Sequence, residues 1–182
     1  MSFFYRTSTI GLLICMHLAC TPLTFSTYSV SANNISIIRN LNKKIKLGEF
    51  RGTAKTVSCR ANPMAPPKGM TFAEYFKNAF SEELIIANNN SKDEILISIN
   101  VAEIDVDCSA GTGFWLISAD VSIDGSESVK ITSKTTFEGS VFGQIVFNNA
   151  QSNFNLAAQD FLSAVLKHPK ISMLKNSQYS PS

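Results

Sequence analysis

Histidine is nearly missing from this chain, with two in 182 residues, His17 and His168. A zinc site wants three or four cysteine, histidine or carboxylate ligands, and a serine or cysteine nucleophile wants a base beside it. Both chemistries would have to be assembled around His168, because His17 lies in an N-terminal apolar run. His168 closes the last helical pattern, where a partial positive charge suits the helix dipole, so it reads as a helix end rather than a proton carrier. Also missing are a glycine-rich phosphate loop followed by Lys-Ser or Lys-Thr and any dinucleotide fingerprint. Charged residues make up only 16% with a net charge of +2, which gives no reason to expect nucleic acid as a partner. No cofactor is expected.

What is present begins with an export signal. Arg6 stands before an apolar run from Ile10 to Leu18, with small residues beyond. That run falls short of the roughly 20 apolar residues that span a bilayer as a helix. Val30, Ser31 and Ala32 offer compact side chains at the positions signal peptidase reads. Residues 1–32 are therefore expected to be removed, leaving a soluble exported protein, periplasmic or secreted, that starts at Asn33. The alternative is lipidation of Cys20 and anchoring to the outer membrane, although Leu18 and His17 make a poor lipoprotein box before it.

The low net charge hides an asymmetry. Between Arg39 and Lys68 stand eight basic residues and one acid, Glu49, whereas from Thr71 onward seven lysines face thirteen acids. Ile38, Leu41 and Ile45 sit at helical spacing within Asn33–Leu47, so a short basic amphipathic helix is expected there. Residues 33–54 read as a basic N-terminal arm whose Arg39, Lys43, Lys44 and Lys46 could meet an envelope protein or an anionic lipid surface.

Residues 55–174 read as one domain, followed by a disordered tail, 175–182. A first strand ends at Arg60, and the proline-rich turn after it continues neither helix nor sheet. Thr71 and Glu74 then form a capping box before a helix with Phe72, Phe76, Ala79, Phe80 and Leu84 on its buried stripe, closed by Asn88, Asn89 and Asn90. Ile95, Ile97, Ile99 and Val101 alternate as a strand. The parity changes beyond Ala102, which means a bulge or a change of covered face. Trp115 to Ile123 form the next strand, Asp124 and Gly125 a hairpin turn, and the return strand covers Val129, Ile131 and Phe137. GSVFGQIVF extends that strand, with kinks at Gly139 and Gly143. Phe154, Ala157, Ala158, Phe161, Leu162, Val165 and Leu166 make the stripe of a last helix. The expected fold is α+β: a curved antiparallel sheet in the order β-α-β-β-β-α with two helices packed on one face.

Glu103, Asp105 and Asp107 gather three carboxylates on one strand, but this spacing is what any solvent-facing edge offers, and no metal is expected. Cys59 and Cys108, each at a strand end, are expected to pair in an oxidising compartment. Paired acids meet in space rather than along the chain, so a small carboxylate-dependent hydrolase stands beside the main reading of a non-enzymatic binding or accessory module.

TVSCR, PPKGMTFAEYFKNAFSEEL, GFWLISADVSIDG and AAQDFLSAVLKHP, within residues 55–172, resemble an uncharacterised group of small exported proteobacterial proteins. More distantly, in order of elements, the chain is similar to YajG-type and other accessory envelope lipoproteins. The resemblance implies an envelope location and an α+β fold, and carries no catalytic residues.

Overall fold

The computed structural model describes residues 22–173. Its main sheet has the order β2-β5-β6-β7, from β2 (Lys44–Arg51), β5 (Glu94–Asp107), β6 (Thr112–Ile123) and β7 (Val129–Glu138). Two long helices, α2 (Phe72–Ala87) and α3 (Gly143–Leu166), cover one face, and the short α1 (Ala32–Arg39) packs against both. The α+β class holds, and the main sheet with its two long helices follows β-α-β-β-β-α, but its first strand is β2 rather than the one ending at Arg60, and the sheet is mixed. β5, β6 and β7 form an antiparallel meander, whereas β2 runs parallel to β5, with Lys44 opposite Glu94 and Leu47 opposite Ile97. The cause is the connection: a strand that returns through a helix on one face comes back pointing the same way.

Local chemistry sets the element boundaries. Thr71 Oγ1 accepts from the Glu74 amide at 3.1 Å and the Glu74 carboxylate accepts from the Thr71 amide at 2.6 Å, which completes the capping box. Asn88 closes α2 in the left-handed conformation at φ 48°. The parity change in β5 is a bulge, with the register against β6 slipping between Val101 and Glu103. Asp124 and Gly125 both take positive φ, 51° and 69°, as a tight hairpin turn requires.

Five expectations are corrected. The helix expected over Asn33–Leu47 stops at Arg39, and Lys44 onward is strand, because Ile45 and Leu47 alternate against Ile95 and Ile97. The supposed basic arm is thus built into the domain as α1 and an edge strand. The first strand placed before Arg60 is instead β3 (Val57–Cys59), and the proline-rich stretch contains β4 (Asn62–Ala65), its antiparallel partner. Val129 is exposed, and Ser133 and Thr135 complete the covered face of β7. GSVFGQIVF does not prolong that strand, since α3 starts at Gly143 and Val146, Phe147 and Ala150 extend its buried stripe. Finally, α3 ends at Leu166 with Lys167 as its C-cap, and His168 caps the start of the four-residue α4 (Pro169–Ser172), its Nδ1 accepting from the Lys170 amide at 3.3 Å.

The core is aromatic and includes chain upstream of Ala32. β1 (Leu23–Thr24) pairs in parallel with β4, making a three-stranded sheet in the order β1-β4-β3. Phe25 behind it is buried and stacks on Phe154 at 3.9 Å between ring centroids, with Trp115 edge-on at 5.6 Å. Burying one such ring is worth about 3 kcal/mol. Trp115 is itself fully buried and donates its Nε1 to the Ala150 carbonyl at 2.8 Å. The cleavage point expected after Ala32 falls inside this packing. Cys20 and His17 lie outside the described residues, as does the tail from residue 174.

Candidate binding groove

At one edge of the main sheet, α2 overhangs β2 and leaves a groove of about 570 Å³. Its wall on the strand side is Ile45 and Leu47, its floor Ile38, and its helix side Lys77, Ser81, Leu84 and Ile85. β2 is an edge strand, so its outer row of backbone groups is left unpaired by the sheet. Lys44 and Lys77 are the only charged side chains among the lining residues. A second depression adjoins it through Lys77 and Asn78 and adds Lys68 and Glu74. Glu74 is committed to the capping box, and its hydrogen bonds to Thr71 hold its carboxyl below the usual range. The trough thus mixes apolar side chains with Ser81 and the asparagines Asn78, Asn88, Asn89 and Asn90, and both of its charges are basic. Ile85, 73% exposed, stands at its lip.

The residues singled out from sequence divide here. Lys44 lines the groove, Lys46 is exposed beyond it, and Lys43 is half-buried. Arg39 stays exposed but is engaged within the fold: its guanidinium donates to the carbonyls of Ile86 at 3.1 Å and Ala87 at 3.3 Å, at the C-terminal end of α2. Cys59 and Cys108 are joined as a disulfide with Cα atoms 5.5 Å apart. It ties β3 to the end of β5. Lys77, Ser81 and Ile85 went unread although their i, i+4, i+8 spacing marks one helix face and Ile85 breaks the polar pattern of that face.

Carboxylates do not converge on the groove. Glu103, Asp105 and Asp107 lie along β5, where Asp105 accepts from the Val106 amide and Asp107 from the Ser109 hydroxyl. A shallow depression on the uncovered face of the sheet holds Glu49 and Asp120. Arg51 binds Glu49 at 2.6 Å and holds its carboxyl below the usual range, the opposite of what a general acid requires. Among the described residues no group of three histidine, cysteine or acidic side chains is placed to hold a metal ion.

One acid lies apart from these depressions. Glu83, fully buried, accepts from the Tyr28 hydroxyl, the Ser31 amide at 3.0 Å and Asn34 Nδ2 at 3.2 Å. Asn34 also donates to the Gln159 carbonyl of α3 at 3.1 Å. Burial raises the Glu83 carboxyl above its ordinary value, against the lowering effect of those hydrogen bonds. Burial likewise raises the Tyr28 phenol and pushes that of Tyr75 up to about 12. The cluster is a clasp that holds residues 28–34 on α2 and α3. Its sequence signal is Glu83 at i+7 from Phe76 and i+4 from Ala79, an acid on an apolar stripe.

No protein-family model and no curated protein sequence matches the chain. Among solved structures the fold is similar to a DUF330-family protein from Xanthomonas campestris, with 10% sequence identity, a TM-score of 0.44, and coverage of 80% of this chain and 94% of that one. At that distance the likeness carries no argument about function. No helix among the described residues is long and apolar enough to cross a membrane.

Proposed function

We propose that this protein is an exported, non-enzymatic binding module of the cell envelope, and that the groove between α2 and β2 receives an extended, acidic segment of a partner protein. The observation that carries the reading is the combination of an unpaired strand edge, a partly apolar trough beside it and a lining charged only by Lys44 and Lys77. An added strand satisfies the free backbone of β2, alternate side chains enter the trough, and acids meet the two lysines. Export is supported by the leader pattern at Ile10–Leu18 and by the buried disulfide, which suits an oxidising compartment. Processing is taken to fall upstream of Leu23 rather than after Ala32. What supports this is the packing of Phe25 on Phe154 and the clasp of Tyr28 and Ser31 on Glu83, which cleavage after Ala32 would discard. Cys20 then becomes the leading candidate for the first mature residue.

Photo-crosslinking in the native envelope tests the groove. A photoreactive residue at Ser81, inside it, should give a discrete adduct, and one at Thr132, on the uncovered face of β7, should not. Lys44→Glu with Lys77→Glu should abolish the Ser81 adduct while leaving thermal unfolding unchanged. An adduct that survives both charge reversals, or none at Ser81, overturns the reading.

A further inference from the structure

The opposite end of the molecule carries a second surface of different chemistry. Val141, Phe142 and Ile145, at the start of α3, are 71%, 67% and 49% exposed. No charged residue occurs from Gly139 to Gln159. The backbone beneath this patch is held firmly. Arg60 donates to the carbonyls of Ser140 at 2.7 Å, Val141 at 3.2 Å and Cys108 at 3.2 Å. The Gly139 amide donates to the Gly111 carbonyl at 3.1 Å, and the Phe142 amide to Ser140 Oγ at 3.1 Å. Hydrogen bonds thus fix a loop whose apolar side chains face water, an arrangement that favours an interaction site over a frayed end.

The chain's own path says what covers it. Residues 24–34 run alongside α3 in the same sense: Gln151 bonds the Thr24 carbonyl, Phe154 stacks on Phe25, and Gln159 bonds Ser29 and Asn34. Traced backward from Thr24, the chain heads for the start of α3. The register of β1 on β4, Leu23 opposite Met64, points the same way, toward the turn at Arg60 that grips Val141. The first described residues therefore run in the direction of the patch, with the apolar run Ile10–Leu18 and Cys20 immediately upstream in sequence. On the proposed reading in which Cys20 is the first mature residue and carries acyl chains, the membrane lies at this end.

We infer that Val141, Phe142 and Ile145 form a membrane-docking wedge, entering the acyl boundary of a lipid bilayer with α3 rising from the surface. An uncharged segment led by a phenylalanine suits the interface, where buried apolar area supplies the affinity. α3 spans about 36 Å at 1.5 Å per residue, and its far end lies by the β6–β7 turn, where Lys170 bonds Ser126. That turn pairs Asp124 with Leu96 at the start of β5, beside Lys44. The wedge and the basic groove consequently face opposite directions, which assigns Lys43, Lys44 and Lys46 to a partner away from the lipid.

Tryptophan reporters in the full chain, purified as it matures in a bacterial host, test this on vesicles of phosphatidylethanolamine and phosphatidylglycerol with brominated acyl chains. Phe142→Trp should be quenched on binding and Ile85→Trp, at the groove, should not; Trp115 is sealed in both. Replacing Val141, Phe142 and Ile145 together with serine should weaken vesicle binding by about tenfold or more, as three lost apolar anchors require. Equal quenching at both positions, no quenching at position 142, or a serine variant that binds as well as the parent overturns the inference. So does a position-142 photo-adduct to a protein in place of lipid.

Discussion

Two neighbouring segments, residues 22–34 and residues 39–51, are both read from sequence as lying outside the domain, and the structure builds each into it in a different way. The first looks like the approach to a cleavage site, and the second like a charged arm laid outside the domain. In the structure the first segment places Phe25 among Phe72, Trp115 and Phe154 and closes the Glu83 clasp. The second is a surface strand with one free edge. Polarity along the chain describes what a segment can bury on its own, whereas Phe25 is buried by residues far away in sequence. The lesson is that a short, mixed segment can be essential to a core when its partners lie at the other terminus.

The sharpest way to break this contrast is to remove the first segment's anchor. Phe25→Ala should lower unfolding free energy by about 3–5 kcal/mol, the usual range for emptying a packed aromatic site, as read from urea denaturation. Lys46→Ala, in the second segment, should stay within about 0.5 kcal/mol of the parent. Equal losses would mean that the first segment is not integral to the fold.

The disulfide comes next. Replacing Cys59 and Cys108 together with serine opens a loop with a sequence separation of 49 residues. The expected loss is about 3 kcal/mol, below the ~4 kcal/mol of the chain-entropy model because reduced chains retain some structure. A doubly substituted protein as stable as the oxidised parent would show that the bond adds nothing to the stability of the fold.

The smallest effect concerns the clasp and its pH dependence. Burial raises the folded pKa of Glu83 above its unfolded value, so the native state holds the proton more tightly. The contribution is fully present below the unfolded carboxyl pKa and is lost as pH rises through the folded one. Glu83→Gln should flatten this slope in unfolding experiments run upward in pH from the ordinary carboxyl range. An unchanged slope would place the titration elsewhere.

Legibility followed the range of the interactions. The capping box of Thr71 and Glu74, the left-handed Asn88, the bulge beyond Val101 and the Asp124-Gly125 turn were readable because each is decided within a few residues. β2 was not, because Ile38, Leu41 and Ile45 also fit a helical wheel and only pairing with β5 settles which period applies. The first turns of α3 were misread because Gly139 and Gly143 resemble strand kinks. Gly139 is small for another reason: a Cβ there would stand 2.3 Å from the Ser109 carbonyl. Of the candidate site, Lys44 was visible as one of a basic cluster. The groove was not, since it exists only where α2 passes over β2.

The aromatic stack of Phe25 on Phe154 also sets an order of events. Hairpins such as Val121 on Val129 close over a few residues and form early, whereas β2 must wait for β5 and Phe25 must wait for the last helix. A chain delivered N-terminus first across a membrane cannot complete its core until almost all of it has arrived. Under the proposed export, the segment carrying Phe25 has no partner until Phe154 follows it, and it closes once α3 docks.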